Sequence, residues 1–399
     1  ARKGEVQVMV GPRSALFTPF ENLGLIVIDE EHDTSYQSEM PPKYHAREVA
    51  IQRAKMVGAS VVLGSATPSV DSYYKALKGE YRLFELNERA GNAIYPKIYI
   101  EDLREELKAR NYSIFSRKLD ELMRDRLGKK EQIMLFLNRR GFAGFVSCRQ
   151  CGEVVGCPHC SVALKPHMAG DRVSYLMCHY CGYKMPMPDK CPECGSPYIS
   201  SFGIGTEQVE QMVKKRFSAA KVLRMDADTT TGKNAHQDIL KKYSGGDADI
   251  LIGTQMIVKG HDFANVTLVG ILAADLSLNV GDYLAAEKTF QLTTQACGRA
   301  GRADKPGEVV IQTYQPEHYS IVCAARNDYK SFYEQEILIR EMLQYPPISN
   351  ILGVLVLSEN ESSVDNLAKI LADKMKLYQD FYANFQVGDS GYMSMPQLI

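Results

Sequence analysis

The sequence predicts an α/β protein with two parallel-sheet domains, the second of which carries a cysteine-rich insertion. Short apolar runs at 23–28 and 61–63 flank a stretch with helical spacing, which is the strand–helix–strand pattern of a parallel sheet. A second series of apolar runs begins at 133–137 and ends at 308–313. Eight of the ten cysteines lie inside this second series, within 148–194. We therefore expect the second domain to be interrupted by a separate folding unit.

The composition is ordinary for a folded globular protein. Hydrophobic residues make up 45% and charged residues 24% of the 399 residues, which excludes a disordered chain, a collagen and a coiled coil. No apolar run approaches the roughly 20 residues of a membrane span, and no secretory signal pattern is present, so we expect a cytoplasmic protein without a membrane partner. The net charge is −1, so any DNA binding has to come from local patches.

Each of the four cysteine pairs in the insertion has the spacing C-x-x-C. The pairs are Cys148/Cys151, Cys157/Cys160, Cys178/Cys181 and Cys191/Cys194. Two thiolates three residues apart on a tight turn can occupy two corners of a zinc tetrahedron. Four pairs therefore fit two structural sites with four cysteine ligands each. A disulfide framework and a redox function are the alternatives; the lack of any secretion signal and the fourfold repetition of the motif disfavour them.

The interval between the second and third pairs predicts which pairs share a metal. It contains apolar runs at 162–164 and 173–176, which indicate a hairpin that would bring these two pairs together. The predicted ligands are Cys148, Cys151, Cys191 and Cys194 for the first zinc, and Cys157, Cys160, Cys178 and Cys181 for the second. His159, His167 and His179 lie nearby, and we expect them to surround the sites or face solvent, because eight cysteines already supply both ligand sets.

Two adjacent acids follow the first apolar run. Asp29 and Glu30 have the Walker B arrangement, in which the first carboxylate holds Mg²⁺ and the second orients or deprotonates the attacking water. An acidic helix N-terminus has the same appearance in sequence. The next run ends in Gly64-Ser65-Ala66-Thr67, whose hydroxyl groups could link a nucleotide site to a neighbouring domain or form an N-capped turn.

A basic segment near the end of the second series suggests phosphate chemistry. Arg299 and Arg302 are three residues apart, so we expect them to share a helical face and to stabilise charge on a transferring phosphoryl group. A solvated basic helix end is the alternative. Another strand is followed by Gly253-Thr254-Gln255 and then by Lys259–Asp262, a segment suited to bridging a nucleic-acid backbone and a nucleotide.

These motifs, in this order, resemble the superfamily 2 helicases and, in detail, the bacterial replication-restart helicases. The matching text is GPRSALF (11–17), DEEHD (29–33), KYHARE (43–48), GSATPS (64–69), NRRGF (138–142), GIGTEQVE (203–210), GTQMIVKGHDF (253–263), GDYLAAEKTFQL (281–292) and QACGRAGR (295–302). Paired cysteines inside the second helicase lobe make the resemblance specific, because a generic helicase lacks them. The resemblance implies two RecA-like lobes, with the first one incomplete.

The resemblance also implies roles for single residues. The residues implied in catalysis and coupling are Asp29, Glu30, His32, Thr67, Gln295, Arg299 and Arg302. Gly260 and Asp262 are implied to approach the nucleotide. Arg13, Ser14 and Thr254 are implied to meet DNA phosphates, and Tyr36 and Tyr44 belong to an aromatic loop that couples single-stranded DNA to ATP turnover. The acids and the arginines would then face each other across a cleft between the lobes.

The resemblance implies an ATP-dependent 3′→5′ DNA helicase that recognises stalled or branched forks and initiates primosome assembly. The implied cofactors are two Zn²⁺ and ATP with Mg²⁺, and the implied partners are fork and single-stranded DNA, primosome proteins and single-stranded DNA-binding protein. The alternative is a zinc-ribbon module that binds nucleic acid or protein without ATP. No G-x-x-x-x-G-K-[ST] phosphate loop occurs in the sequence, so we expect a fragment that does not hydrolyse ATP alone.

The motifs and apolar runs give the expected domain boundaries. The expected domains are a partial first lobe at 1–92, a second lobe at 93–145 and 203–345, a zinc-binding insertion at 146–202 and a small α+β domain at 346–399.

Overall fold

The protein is described from a computed structural model. The described residues are 1–379 except 39, 87–94, 138–144, 160, 161, 170, 171, 180, 203, 204, 227, 233, 259–262, 280, 281, 302–304, 352, 353, 355 and 357–359. The chain separates into two compact units. The first unit is Ala1–Glu88 with Tyr333–Ile348, and the second is Arg89–Phe332 with Ser349–Ile399. Residues 333–345, which were expected in the second lobe, belong to the first unit, as do residues 346–348, which were expected in the C-terminal domain.

In the described part of residues 1–86, the first unit contains two parallel strands and two α-helices. Its elements are β1 (Leu25–Ile28), α1 (Ala46–Val57), β2 (Ser60–Leu63) and α2 (Val70–Leu77), with 3-10 helices at Arg13–Phe17 and Thr34–Tyr36. The two strands pair in register from Leu25 opposite Ser60 to Ile28 opposite Leu63. This is the predicted strand–helix–strand unit, and it brings the two polar loops that follow β1 and β2 to the same edge.

Local signals set the limits of the two helices in the first unit. His45 accepts a hydrogen bond from the backbone N–H of Arg47 at the start of α1, and Gly58 ends α1 in the left-handed conformation with φ of 73°. Ser69 caps α2 by accepting from the N–H of Ser72. The last residue of the polar segment 64–69 is therefore the N-cap of α2, a position that hydroxyl residues favour.

The second unit contains a six-stranded parallel sheet. Its strands are β3 (Lys97–Asp102), β4 (Gln132–Leu137), β10 (Val222–Met225), β11 (Ile250–Gly253), β12 (Val266–Leu272) and β13 (Glu308–Thr313), in the spatial order β10-β11-β4-β12-β13-β3. The central strand β4 is buried along its whole length. Met134 and Phe136 belong to one core cluster, and Ile133 and Leu135 belong to another. Because successive side chains of a strand point to opposite faces, the sheet is covered on both sides.

Helices cover the two faces of this sheet. They are α3 (Leu103–Lys108), α4 (Arg117–Gly128), α5 (Thr206–Arg216), α6 (Ala235–Ser244), α7 (Gln255–Val258), α8 (Ala285–Cys297) and α9 (Tyr319–Arg326), with a 3-10 helix at Ala274–Ser277. Two further helices follow, α10 (Tyr329–Leu343), which begins in the second unit and continues into the first, and α11 (Glu361–Gln379). Within the described residues, we find no helix with the length and apolarity that a membrane crossing requires.

The cysteine-rich insertion forms small antiparallel sheets between β4 and α5. Its strands are β5 (Phe145–Cys148), β6 (Lys165–Ala169), β7 (Arg172–Met177), β8 (Lys184–Pro186) and β9 (Ile199–Phe202). β5 pairs with β9, so the strands that enter and leave the insertion are neighbours. β6, β7 and β8 form a separate sheet. The hairpin expected between the second and third cysteine pairs is present, with its first strand starting at Lys165.

The arginine segment after α8 does not continue the helix. Arg299 and Arg302 were expected to share a helical face, but α8 ends at Cys297 with Gly298 at its C-cap. Gly301 then takes φ of 68° and lies so close to Gly307 that an added Cβ would be 2.5 Å from the Gly307 nitrogen. Arg299 already lies beyond the end of the helix, and Gly301 turns the chain after it, so the expectation of a shared helical face is wrong.

Candidate functional site

The first and fourth cysteine pairs meet at one point of the insertion. The Sγ atoms of Cys148, Cys151, Cys191 and Cys194 all lie within 4.8 Å of one another. Cys148 is 3.6 Å from Cys194, and Cys151 is 3.7 Å from Cys191. Zinc–sulfur bonds of about 2.3 Å in a tetrahedron place the sulfurs about 3.8 Å apart. The four thiols therefore fit a zinc ion in both number and spacing.

The second and third pairs meet at another point. The Sγ atoms of Cys157, Cys178 and Cys181 lie within 4.8 Å of one another, and Cys157 is 3.5 Å from Cys181. The predicted fourth ligand, Cys160, lies outside the described residues. The described cysteines are thus grouped in the nested order that the hairpin predicts, and each group has the donor chemistry that zinc prefers.

The backbone of the first knuckle is shaped to donate to sulfur. The N–H of Gln150 donates to the Sγ of Cys148 at 3.4 Å, and Gly152 adopts φ of 83°. Burial raises the pKa of the Cys148 thiol, but the N–H groups of Cys151 and Gln150 outweigh burial and hold that pKa below its usual value. Donation of N–H groups to sulfur favours a thiolate, as a metal ligand requires, whereas burial raises the pKa of the neighbouring Cys151.

In the first unit, the acidic loop begins directly after β1. Asp29 is exposed and Glu30 is half-buried. The N–H of Glu30 donates to Oδ1 of Asp29 at 3.0 Å, and Glu30 has φ of 48°. A non-glycine residue in this region is strained by about 1 kcal/mol or more, and such residues concentrate at functional sites. The two carboxylates at the end of a parallel strand have the hard oxygen atoms that Mg²⁺ prefers.

The next acid, Glu31, is the residue that the sequence analysis did not single out. Its side chain is buried, and its carboxylate accepts hydrogen bonds from the backbone N–H of Ser69 at 2.6 Å and the hydroxyl of Ser72 at 2.9 Å. The guanidinium of Arg47 is 3.1 Å away. Arg47 also contacts Asp71. Both residues lie in sequence motifs, Glu31 in DEEHD and Arg47 in KYHARE. The spacing of these motifs, however, did not predict that the two side chains meet.

His32 connects the acidic loop to the loop after β2. Its Nδ1 lies 2.7 Å from the Ser65 hydroxyl and 3.6 Å from Oε2 of Glu30. The same Ser65 oxygen accepts from the N–H of Thr67 at 3.0 Å, and Thr67 is buried. The structure thus brings together His32 and the Gly64–Thr67 segment, which the resemblance paired.

The residues implied in DNA binding lie in different surroundings. The Arg13 guanidinium donates to the carbonyls of Ser35 at 2.9 Å and Gln37 at 2.7 Å, so it holds the loop that contains Tyr36. Ser14 is exposed. The hydroxyl of Tyr36 donates to the carbonyl of Asp29 at 2.7 Å. The ring of Tyr44 packs edge-on against Phe17, with the centroids 5.4 Å apart.

In the second unit, the candidate residues lie at the carboxyl edge of the sheet and beyond α8. Thr254 follows β11 and is 1% exposed, with its hydroxyl buried, so this side chain does not present itself to a phosphate in the described structure. Gln295 and Arg299 are half-buried. Gly260, Asp262 and Arg302 lie outside the described residues.

Two parts of the chain match known protein domains, and these matches indicate the class of protein. Residues 199–304 match the helicase conserved C-terminal domain. Residues 157–186 match the PriA DNA helicase Cys-rich region (CRR) domain. Together with the covered parallel sheet and the grouped cysteines, these matches define a RecA-like helicase lobe that carries a cysteine-rich zinc module.

Similarity to individual proteins identifies the family. Replication restart protein PriA of Bacillus subtilis is 50% identical over 372 residues, which are 93% of this chain and 46% of that protein. The PriA proteins of Synechocystis and Haemophilus influenzae are 44% and 39% identical, over 92% and 94% of this chain and 45% and 50% of their own lengths. The chain belongs to the PriA family, and it spans about half the length of these curated relatives.

Proposed function

We propose that this chain is part of an ATP-dependent DNA helicase that acts in replication restart. The proposed helicase moves 3′→5′, recognises stalled or branched forks and initiates primosome assembly in the cytoplasm. Its proposed partners are fork DNA, single-stranded DNA, primosome proteins and single-stranded DNA-binding protein. The observation that carries this proposal is the contact between His32 and Ser65, because it ties the carboxylate loop to the next polar loop at the edge of a parallel sheet.

The carboxylate loop would serve ATP hydrolysis. Bound Mg²⁺ would neutralise charge on the phosphoryl group that is transferred. Asp29, which is exposed directly after β1, would hold that ion, and Glu30 would orient the attacking water. The hydrogen bond from Tyr36 to the Asp29 carbonyl supports the proposal that the aromatic loop responds to the state of this site. Arg13, which binds the same loop, would contribute to that response.

The second unit would supply positive charge and nucleotide contacts. In this proposal Arg299 and Arg302 stabilise the transferring phosphoryl group, with Gln295 beside them. Gly260 and Asp262 approach the nucleotide. Ser14, Tyr44 and Thr254 contribute to the DNA path, and Thr254 would have to become exposed to do so.

The cysteine-rich module would hold two structural zinc ions. The spacing of the sulfurs supports four thiolate ligands for the first ion and three for the second. Four thiolates around each ion would leave no open position for hydrolytic chemistry. Cys160 completes the second set in this proposal. The module therefore contributes shape and stability, and the hydrolytic chemistry belongs to the first unit.

A chimaera tests the proposal directly. The chain would replace the matching segment of Bacillus subtilis PriA, and ATP hydrolysis would be measured with and without single-stranded DNA. We expect DNA-stimulated hydrolysis that falls by at least about 100-fold in the Glu30→Gln variant, since one positioned group typically contributes this much. The Glu80→Gln variant, on an exposed loop of the same unit, is the control. Equal rates in both variants would contradict the role of Glu30.

The isolated chain gives a second test. It contains no phosphate loop of the G-x-x-x-x-G-K-[ST] type, so we propose that it does not hydrolyse ATP by itself. DNA-stimulated hydrolysis by the isolated 399 residues would overturn this part of the proposal. A chimaera that binds DNA without any ATP turnover would instead support a zinc-ribbon binding module.

A further inference from the structure

The two cysteine clusters lie in different places relative to the six-stranded sheet. Cys148 ends β5, and β5 pairs with β9, where the insertion leaves and rejoins the helicase lobe. Phe145, at the start of β5, is 3% exposed and packs with Ala273 and Leu276, which follow β12. The first cluster thus stands at the base of the insertion.

The turn of the first knuckle touches the lobe itself. A Cβ added at Gly152 would lie 3.0 Å from the carbonyl oxygen and 3.2 Å from the Cβ of Tyr314, and 3.7 Å from Cδ of Arg104. Tyr314 follows β13 and is 6% exposed. The side chain of Arg149, which lies between the two cysteines of this knuckle, is within electrostatic reach of the Tyr314 hydroxyl.

Hydrogen bonds connect Tyr314 to the rest of the lobe and Arg149 to the rest of the insertion. The backbone N–H of Tyr314 donates to Oδ1 of the buried Asp275 at 3.1 Å. The N–H of Arg149 donates to the carbonyl of Tyr198 at 2.8 Å, so the first knuckle is also joined to the segment after the fourth cysteine pair. A metal that fixes the first and fourth pairs would therefore fix the surface that meets Tyr314.

The second cluster lies within the core of the insertion. Cys157 and Cys178 are buried in one cluster with Val155, Leu164 and Leu176. Cys178 directly follows β7 of the hairpin, and its N–H donates to the carbonyl of Tyr183 at 2.8 Å. A metal at this point would order the hairpin and β8.

We propose that the two metal sites have different tasks: the first anchors the insertion to the helicase lobe through Arg149 and Gly152 against Tyr314, and the second folds the distal hairpin. This inference rests on the proposal that both clusters bind zinc. It assigns Arg149, Gly152 and Tyr314 as positioning residues, because they act by fixing where the insertion stands on the lobe.

Hydrogen exchange of the whole chain, followed by mass spectrometry, tests this division. Cys194→Ser and Cys181→Ser form a matched pair, because each removes an exposed last cysteine of its site and each cysteine precedes a glycine with positive φ. We expect Cys194→Ser to speed exchange about tenfold in 312–316 and 274–278. Cys181→Ser should leave these segments unchanged and speed exchange in 165–186. Equal effects of the two variants on 312–316 would overturn the proposal.

The Tyr314→Ala variant tests the contact without touching a metal ligand. We expect it to keep both zinc ions and to speed exchange about tenfold in 148–153. Unchanged exchange there would overturn the anchoring role of Tyr314. The zinc content of the unmodified chain, measured by native mass spectrometry, distinguishes the proposal that both clusters bind zinc from the proposal that the two sites have different tasks. A chain without zinc contradicts the metal sites themselves, whereas two zinc ions with equal variant effects contradict only their different tasks.

Discussion

The guanidinium of Arg47 lies 3.1 Å from the carboxylate of Glu31, and both side chains are buried in the first unit. Glu31 also binds the backbone N–H of Ser69 at the start of α2. Asp71 contacts the other end of the guanidinium. Burial opposes the charge of Arg47, but Asp71 and Glu31 outweigh burial and raise its pKa. The pair therefore joins the carboxylate loop, α1 and α2 through one charged group.

We expect Arg47→Ala to destabilise the first unit by about 3 kcal/mol or more, because it leaves the buried Glu31 carboxylate without its cation. The measurement is hydrogen exchange of the α1 and α2 amides across a denaturant series. Lys55→Ala is the matched control, since Lys55 is an exposed residue of the same helix. A difference between the two variants of less than about 0.5 kcal/mol would contradict the structural role of Arg47.

Native mass spectrometry should find two zinc ions bound to each chain. Removal of zinc with a chelator is expected to unfold the insertion, because metal binding and folding are coupled in small modules of this kind. The amides of β4 and β12, which are buried in the lobe, should stay protected. Cys323→Ala serves as the control, since Cys323 is buried in α9 and should leave the zinc count at two. A count of one or none would contradict the two-site interpretation.

Gly152→Ala should destabilise the chain more than Gly182→Ala or Gly195→Ala. All three glycines have positive φ, so each substitution costs about 1–2 kcal/mol in backbone conformation. An added Cβ at Gly182 or Gly195 meets nothing within 4 Å, whereas at Gly152 it presses on Tyr314. Overpacking of this kind adds about 1–3 kcal/mol. Thermal unfolding of the three zinc-loaded variants measures the difference, and three equal midpoints would show that Gly152 is not in tight contact.

His318→Asn should reduce the pH dependence of stability on the acid side of neutrality. Burial lowers the pKa of His318 to about 4, so the folded protein holds this ring neutral. In the unfolded chain the ring has its ordinary pKa of about 6.5. The unfolded state therefore takes up the proton first, and the contribution of His318 to stability is complete above about pH 6.5 and is lost as the pH falls toward about 4.

Urea unfolding between pH 8 and pH 5.5 measures this effect. His318 caps α9 by accepting from the N–H of Ser320, and an asparagine side chain can accept the same hydrogen bond, so the comparison isolates the titration. The unmodified chain should lose more stability than His318→Asn over this range. Parallel pH profiles would contradict the lowered pKa of His318.

Elements with a strong local pattern were predictable. The strand at 308–313 was predicted at the bounds the structure has, and the stretch with helical spacing between the runs at 23–28 and 61–63 is α1. The course of the chain after α8 was not predictable from spacing. Spacing alone treated Arg299 and Arg302 as helical, but α8 ends at Cys297 and Gly301 turns the chain between the two arginines.

Roles that depend on a partner were harder to predict. Arg13 was expected at a DNA phosphate, and in the structure its donors are bound to the carbonyls of Ser35 and Gln37. Thr254 follows its strand as expected, but the packing of Ile257 and Met225 around Gly253 leaves no space beside the backbone, and the Thr254 hydroxyl is buried. A polar residue in a motif identifies a group that can form hydrogen bonds. It does not identify the partner of that group in the folded protein.

The sequence by itself determined the local chemistry of this protein: the C-x-x-C turns, the two acids after β1, and the hydroxyl residues after β2. Each of these is set by residues no more than a few positions apart, so spacing is sufficient. Only the tertiary structure decided that Glu31 is held by Arg47 and that Gly152 rests on Tyr314. These pairs are separated by 16 and 162 positions, and they meet because the packing of the sheets and helices places them together.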